Sequence, residues 1–189
     1  MVVERTLVIT KPETVKRGIV GEIITRFEKK GLKIAAMRMA WPDEKFISRH
    51  YTEEMADAIG AKMKVNVEKD GKTFEGDPKA HGMKVVKSLR KYLTECPVVV
   101  MVLEGPHAIE IVRKMTGSTS PHKAEMGTIR GDYTSDSYAY SDLPGKERSI
   151  RNIIHASDSK ESAATEIALW FTKGDVFDYE HPLQKILYG

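Results

Sequence analysis

Short β-branched runs alternate along this chain with stretches whose apolar residues recur at helical spacing. That alternation commits it to one sheet with helices packed on it. Thr6-Leu7-Val8-Ile9-Thr10 reads as a buried strand ended by Lys11-Pro12. Thr10 and Glu13 have capping-box spacing just after it. Val20, Ile23, Ile24 and Phe27 form one stripe of an amphipathic helix, closed where Gly31 can turn left-handed. Residues 33 to 39 read as a second strand, and Asp43 begins a short helix carrying His50 and Tyr51. Val86, Leu89 and Leu93 mark a helix, the apolar run 97 to 103 a third strand, and Ile109, Val112 and Met115 a further helix. Asp158, three residues before Glu161, reads as the N-cap of a last helix with Ala163, Ala164, Ile167, Ala168 and Phe171 on its apolar face. A short strand fits Asn152-Ile153-Ile154 before it.

This order is compatible with a doubly wound sheet or a split βαβ arrangement, and three clear strands favour the smaller, ferredoxin-like α+β sheet. Two stretches break the rhythm. Residues 60 to 82 are polar and rich in turn residues, with Asp70-Gly71 placed as a hairpin tip between Val65-Asn66-Val67 and Thr73-Phe74. Residues 133 to 149 carry Tyr133, Tyr138 and Tyr140 and read as a loop. No Pro/Gly/Ser-rich linker divides the chain, so a single domain over 1–189 is expected; 189 residues suffice for a core without disulfides.

The charge balance narrows the partners. Thirty basic and 27 acidic residues leave a net +3, which argues against a nucleic-acid coat but permits a local basic pocket. The one cysteine, Cys96, precedes an apolar run and reads as a buried thiol. No segment is long and apolar enough for a bilayer, and the N-terminus lacks a signal-peptide pattern, so a cytoplasmic protein is expected.

No glycine-rich phosphate cradle of the Gly-x-x-x-x-Gly-Lys or Gly-x-Gly-x-x-Gly kind occurs. A phosphate-handling site would therefore rely on side-chain cations. Lys11 ends the first strand, Arg113 lies on the helix after the third, Thr119 follows that helix, and Arg130 lies between Gly127 and Gly131. Arginine's planar fork suits phosphate, although most single cations are solvated surface charges. His155 stands in Asn152-Ile153-Ile154-His155-Ala156-Ser157-Asp158, between an apolar pair and a helix start. A histidine there is more often a packed structural residue. It could also act as a nucleophile at phosphorus if a partner held its second ring nitrogen. Glu166 on the following helix could be that partner, and Ser157 could orient the ring or the phosphate. The six histidines show no His-x-x-x-His or Cys/His pairing, so no protein-caged zinc is expected.

Taken together, these segments resemble the nucleoside diphosphate kinase family over most of the chain. Glu4-Arg5-Thr6-Leu7-Val8-Ile9-Thr10-Lys11-Pro12 is similar to its first strand with a phosphate-contacting lysine. His50-Tyr51 is similar to its His-Tyr pair, the stretch from Pro97 to Glu104-Gly105 to its central strand, and residues 152 to 159 to its signature around a phosphorylated histidine. The resemblance implies a ferredoxin-like βαββαβ sandwich with an antiparallel four-stranded sheet. It implies His155 as the nucleophile, with Glu166, Ser157 and Tyr51 in support. Lys11, Arg113, Thr119, Arg130 and Asn152 would contact the nucleotide, with Mg2+ bound through its phosphates. Substrates would be nucleoside triphosphates and diphosphates (ATP, GTP and deoxynucleoside diphosphates), and the assembly a homo-oligomer, a hexamer or lower.

The sequence departs from the family between Tyr51 and Leu89. There the family carries an arginine and, two residues on, a base-stacking phenylalanine, where Met83 and Val85 align. Residues 60–82 and 134–148 look like insertions; the first either reshapes the base clamp, with Phe74 as the stacking aromatic, or is an exposed hairpin serving solubility or assembly. Two rival readings are a nucleotide sensor without turnover and a nucleic-acid-binding regulator.

Overall fold

The computed structural model describes residues 3–69, 71, 73–141, 148–182 and 186. Four strands form one sheet: β1 (Val3–Thr10), β2 (Lys33–Ala40), β3 (Val98–Pro106) and β4 (Ile154–Ala156). Their order is β2-β3-β1-β4 with every neighbouring pair antiparallel, the ferredoxin-like arrangement expected. Helices α1 (Pro12–Lys16) and α2 (Val20–Lys29) join β1 to β2. Three more, α3 (Glu44–His50), α4 (Met55–Lys69) and α5 (Pro78–Thr94), lie between β2 and β3. Helices α6 (Ala108–Thr116), α7 (Ile129–Tyr133) and α8 (Tyr138–Ser141) precede β4, and α9 (Lys160–Trp170) follows it.

The sheet is buried on both faces because its strands alternate between two apolar layers. Leu7, Ile9, Val98, Val100 and Val102 pack with Ile47, Val86, Leu93 and Trp170 on one side. Val8, Val99, Met101 and Leu103 pack with Ile23, Phe27, Val112 and Ile129 on the other. This explains the unbroken apolar run of β3, all nine residues of which are buried. The α2 stripe turns Ile23 and Phe27 fully inward, and Gly31 adopts φ 87° just past its end.

Several local expectations are corrected. The stretch from 60 to 82 is not a hairpin: Val65, Asn66 and Val67 lie within α4, and α5 begins at Pro78 with Asp77 as its N-cap, while Asp70 lies outside the described residues. Gly60 and Gly82 are not turn residues but the crossing point of the two helices. A Cβ at Gly60 would come 1.9 Å from the Pro78 carbonyl oxygen, and one at Gly82 would come 1.9 Å from that of Ala56. Thr10 does not cap α1; its hydroxyl donates to the Val99 carbonyl (3.3 Å) and accepts from the Val99 N–H (3.2 Å), tying the end of β1 to β3. Ser159, not Asp158, caps α9, accepting from the Ser162 N–H at 3.1 Å, while Asp158 accepts from the Ser162 hydroxyl at 2.7 Å. On α9, Ala163, Ile167 and, just past its end, Phe171 pack inward as expected, together with Trp170, but Ala164 and Ala168 face solvent. Cys96 is half-buried, not enclosed.

The last strand starts at 154, two residues later than the sequence pattern suggested. Ile153 has φ 49°, and the Ile154 N–H donates to the Asn152 carbonyl at 2.6 Å. That tight turn breaks the extended backbone before pairing with β1 can begin. A left-handed φ is unusual for a β-branched residue and marks local strain.

Candidate active site

Lys11 and His155 lie at the same end of the sheet because β1 and β4 are neighbours. Ile9 is paired with His155 and Thr10 with Ile154, so the residue leaving β1 lies beside the turn at 152–153. The Lys11 backbone N–H donates to the Ile153 carbonyl at 2.7 Å, and its Nζ donates to Asn152 Oδ1 at 2.6 Å. Asn152 in turn donates from Nδ2 to the Thr119 carbonyl at 3.0 Å. Lys11 is only 3% exposed. Burial, reinforced by the nearby Arg130 charge, pulls its ammonium down to about 7.

Arg130 enters from α7. Thr128 caps that helix, its side chain accepting from the Gly131 N–H. The guanidinium donates from Nε to the Asn152 carbonyl (3.2 Å), from Nη1 to Gly117 (2.7 Å) and from Nη2 to Ile154 (2.8 Å). Three of its five N–H groups are thus spent on backbone carbonyls, and one remains on each terminal nitrogen. Burial, then the Arg113 charge, lowers its proton affinity to about 10, so it stays cationic. Arg113 on α6 and Thr119 beyond it are exposed, at the outer side of this cluster.

His155 is held from α9. Its Nε2 lies 3.0 Å from each Glu166 carboxylate oxygen, and Ser157 Oγ donates to Oε2 of the same carboxylate at 2.6 Å. Ser157 also accepts from the Leu7 N–H at 3.2 Å, so its place is fixed by β1. Burial opposes a charge on Glu166, but His155, His50 and the Ser157 hydroxyl together hold its carboxyl below the ordinary value. An acceptor at Nε2 assigns the ring proton of neutral His155 to that nitrogen. Nδ1 then carries the lone pair, and among the described residues it has no hydrogen-bond partner.

Two rings wall the imidazole. His50 and Tyr51 stand edge-on to it, with centroids 4.9 and 6.3 Å away. Burial drives the Tyr51 phenol above its ordinary range. His50 accepts at Nδ1 from the Trp170 indole N–H at 3.2 Å, and burial followed by the His155 charge lowers it to about 3. His50 therefore stays neutral, an uncharged wall that the sequence displayed only as the neighbour of Tyr51. Tyr92 is the other participant missed. It lies on the buried side of α5, and nothing in its spacing set it apart from core residues. Phe74 does not reach this group through any described ring contact; it packs edge-on against His81 at 5.0 Å.

His50, His155 and Glu166 also form the one cluster of metal-capable side chains among the described residues. Its carboxylate is already engaged by His155 and Ser157. The surrounding donors are cationic Lys11 and Arg130, a set that suits anionic oxygens and not a hard divalent ion. A wide groove of about 1310 Å³ lies elsewhere, lined by residues such as Arg5, Lys33, Glu104 and Phe171, and includes none of these groups.

The model of one family, described as nucleoside diphosphate kinase, matches residues 4–69 and 59–176. A Pyrobaculum aerophilum protein named nucleoside diphosphate kinase is 46% identical over 186 residues, covering 94% of this chain and 100% of the relative. The crystal structure of an NDP kinase from the same organism superposes with a TM-score of 0.84 at 42% identity, over 94% of this chain and 100% of that one. A Borrelia burgdorferi nucleoside-diphosphate kinase, solved as a transition-state mimic with bound vanadate and ADP, gives a TM-score of 0.80 at 34% identity, over 98% and 96% of the two chains.

Proposed function

The chain belongs to the nucleoside diphosphate kinase family, and from that premise we infer a ping-pong transfer in which His155 carries the phosphoryl group between two nucleotides. The enzyme moves the terminal phosphate of a nucleoside triphosphate to a nucleoside diphosphate. The observation that carries the role of His155 is its geometry: Nε2 is fixed by both oxygens of Glu166, Nδ1 has no partner among the described residues, and the buried Arg130 and Lys11 are bonded to Ile154 and Asn152 just before it in the chain.

In the first half-reaction the Nδ1 lone pair attacks the γ-phosphorus. The bond to the bridging oxygen breaks, and the nucleoside diphosphate leaves with its electron pair. Positive charge developing on the ring is met by Glu166, which Ser157 holds in place. In the second, a β-phosphate oxygen of the acceptor attacks the phosphohistidine and the N–P bond breaks, restoring the neutral ring.

Phosphoryl transfer depends on positioning and charge neutralisation more than on covalent help from the protein. Lys11 and Arg113 supply cations, and the two spare N–H groups of Arg130 form a fork for phosphate oxygens. Asn152 has one remaining amide N–H for the sugar, and Thr119 and Tyr51 border the phosphates. Mg2+ would be held by the nucleotide's phosphates and not by a protein cage, and would supply screening of their charge.

We further propose a cytoplasmic homo-oligomer, a hexamer or lower, acting on ATP, GTP and deoxynucleoside diphosphates and not on nucleic acid. No helix among the described residues is long and apolar enough to cross a membrane. The edge of β2 supports self-association. Met37, Met39 and Trp41 are 51%, 62% and 67% exposed there, beside backbone with no described neighbour strand. A coupled assay of ADP release with ATP as donor and dTDP as acceptor tests the activity. Parallel double-reciprocal lines are expected, and tight nucleotide binding without ADP release would leave a sensor instead.

A further inference from the structure

Tyr92 lies near the C-terminal end of α5, 1% exposed, with its hydroxyl donating to Glu13 Oε2 at 2.8 Å. Two cations lie over its ring. The Lys11 Nζ is 5.2 Å from the centroid and the Arg151 guanidinium carbon 4.2 Å. Arg151 is itself anchored by two bonds to Glu95, at 2.8 and 2.9 Å. Lys11, by contrast, has no carboxylate in direct contact among the described residues, where its one side-chain hydrogen bond is to the neutral amide oxygen of Asn152.

An ammonium withdrawn from water without an ion-pair partner should shed its proton, and a neutral lysine would be useless to a phosphate. A carboxylate beside it would retain the proton but cancel the charge against the incoming anion. An aromatic face does neither. Its quadrupole attracts the cation while adding no net charge. We propose that Tyr92 is a positioning residue for Lys11, its ring holding the ammonium in place and in charged form at the phosphate site. The proposal rests on the reading of Lys11 as a phosphate contact.

The other groups that bear on Lys11 come from every element around it. Arg130 of α7 and Arg151 before β4 oppose its charge, Glu13 of α1 favours it, and His50 of α3 is near enough to sense it. Glu13 is shared with Tyr92, so removing the hydroxyl and removing the ring must be separated. Tyr92→Phe keeps the ring and loses only the bond to Glu13. Tyr92→Leu removes the aromatic face, and Tyr92→Met is a second ring-free variant should leucine fail to fold.

The test is a pH titration of the Lys11 ammonium by NMR in lysine-labelled protein, assigned with Lys11→Arg. Tyr92→Phe should titrate like the wild type, or slightly higher. The ring-free variants should show proton affinity at Lys11 lowered about three- to tenfold, from the usual strength of a desolvated cation–π contact. Their kcat/KM should fall by a similar factor at about pH 8 and recover toward about pH 6, where the ammonium is regained. An unchanged Lys11 midpoint, or an activity loss equal at every pH, overturns the proposal. If the wild type transfers no phosphate, the functional reading fails, while the Lys11 midpoint still reports on Tyr92.

Discussion

Replacing Lys11 by methionine should make the protein inactive and, at neutral pH, more stable. Lys11 titrates at about 7 in the folded protein against 10.5 when unhindered. Below about pH 7 both states hold the proton, and the full cost of burying the charge is present. Between about 7 and 10.5 the unfolded chain holds a proton that the folded protein has released, so wild-type stability rises with pH. Each unit in that window is worth about 1.4 kcal/mol, trimmed near its lower end where the folded group is half-titrated. From about pH 7 to about pH 9 the wild type should therefore gain ~2 kcal/mol from this residue alone. Lys11→Met lacks that gain. It also loses the bond to Asn152, a pH-independent cost of about 1 kcal/mol. Urea unfolding at the two pH values, with ADP release measured alongside, should show the variant's stability advantage shrinking by ~2 kcal/mol as pH rises, while turnover is at least ~100-fold lower throughout. A stability difference that is flat with pH, or that grows, would refute the assignment of Lys11 as a buried charge.

Glu166→Gln should lower kcat roughly 10- to 100-fold with little change in KM, since the carboxylate steadies His155 and not the nucleotide; steady-state kinetics decide it. The Glu166 carboxyl sits below its ordinary 4.5, so its stabilising contribution is complete above that value and lost as pH falls through the folded one. Acid unfolding of Glu166→Gln should accordingly be less steep than that of the wild type. Gly82→Ala should destabilise by about 2–4 kcal/mol, because its Cβ would meet the Ala56 carbonyl of α4, and thermal unfolding checks it. Arg113→Ala, at an exposed position, should raise KM for the triphosphate about tenfold with a smaller change in kcat.

The parts of the fold written in apolar periodicity could be read directly. The β1 and β3 runs, the α2 stripe and the helix around Val86 appear in the structure because burial decides each of them. Residues 60 to 82 were misread because glycine has two uses. Glycine contributes to the turn-rich composition of this stretch, yet Gly60 and Gly82 let α4 and α5 touch backbone to backbone, a contact that no local pattern reveals. The cap of α9 shifted by one residue because Asp158 and Ser159 are both good caps, and the approach of the chain from β4 selects between them.

At the candidate site, the sequence offered Lys11, Arg130, Asn152, His155, Ser157 and Glu166, and the structure brings them into two hydrogen-bonded groups on either side of β4, Lys11–Asn152–Arg130 and His155–Glu166–Ser157. Arg113 and Thr119 stand at the outer side of the first, Thr119 joined to it through its backbone carbonyl. Tyr92 and the neutral state of His50 were invisible in the sequence. Their parts depend on which ring faces which charge across residues far apart in the chain, and only the folded packing decides that.

Turnover by this site depends on a single nitrogen, Nδ1 of His155. Brief incubation with ATP labelled at the γ-position, followed by acid and alkali treatment, asks whether Nδ1 of His155 takes up phosphate. One labelled histidine per chain, stable in base, labile in acid, discharged by added diphosphate and absent in His155→Ala, is the predicted result. A label that persists in that variant, or a wild-type protein that turns over without ever becoming labelled, would contradict it.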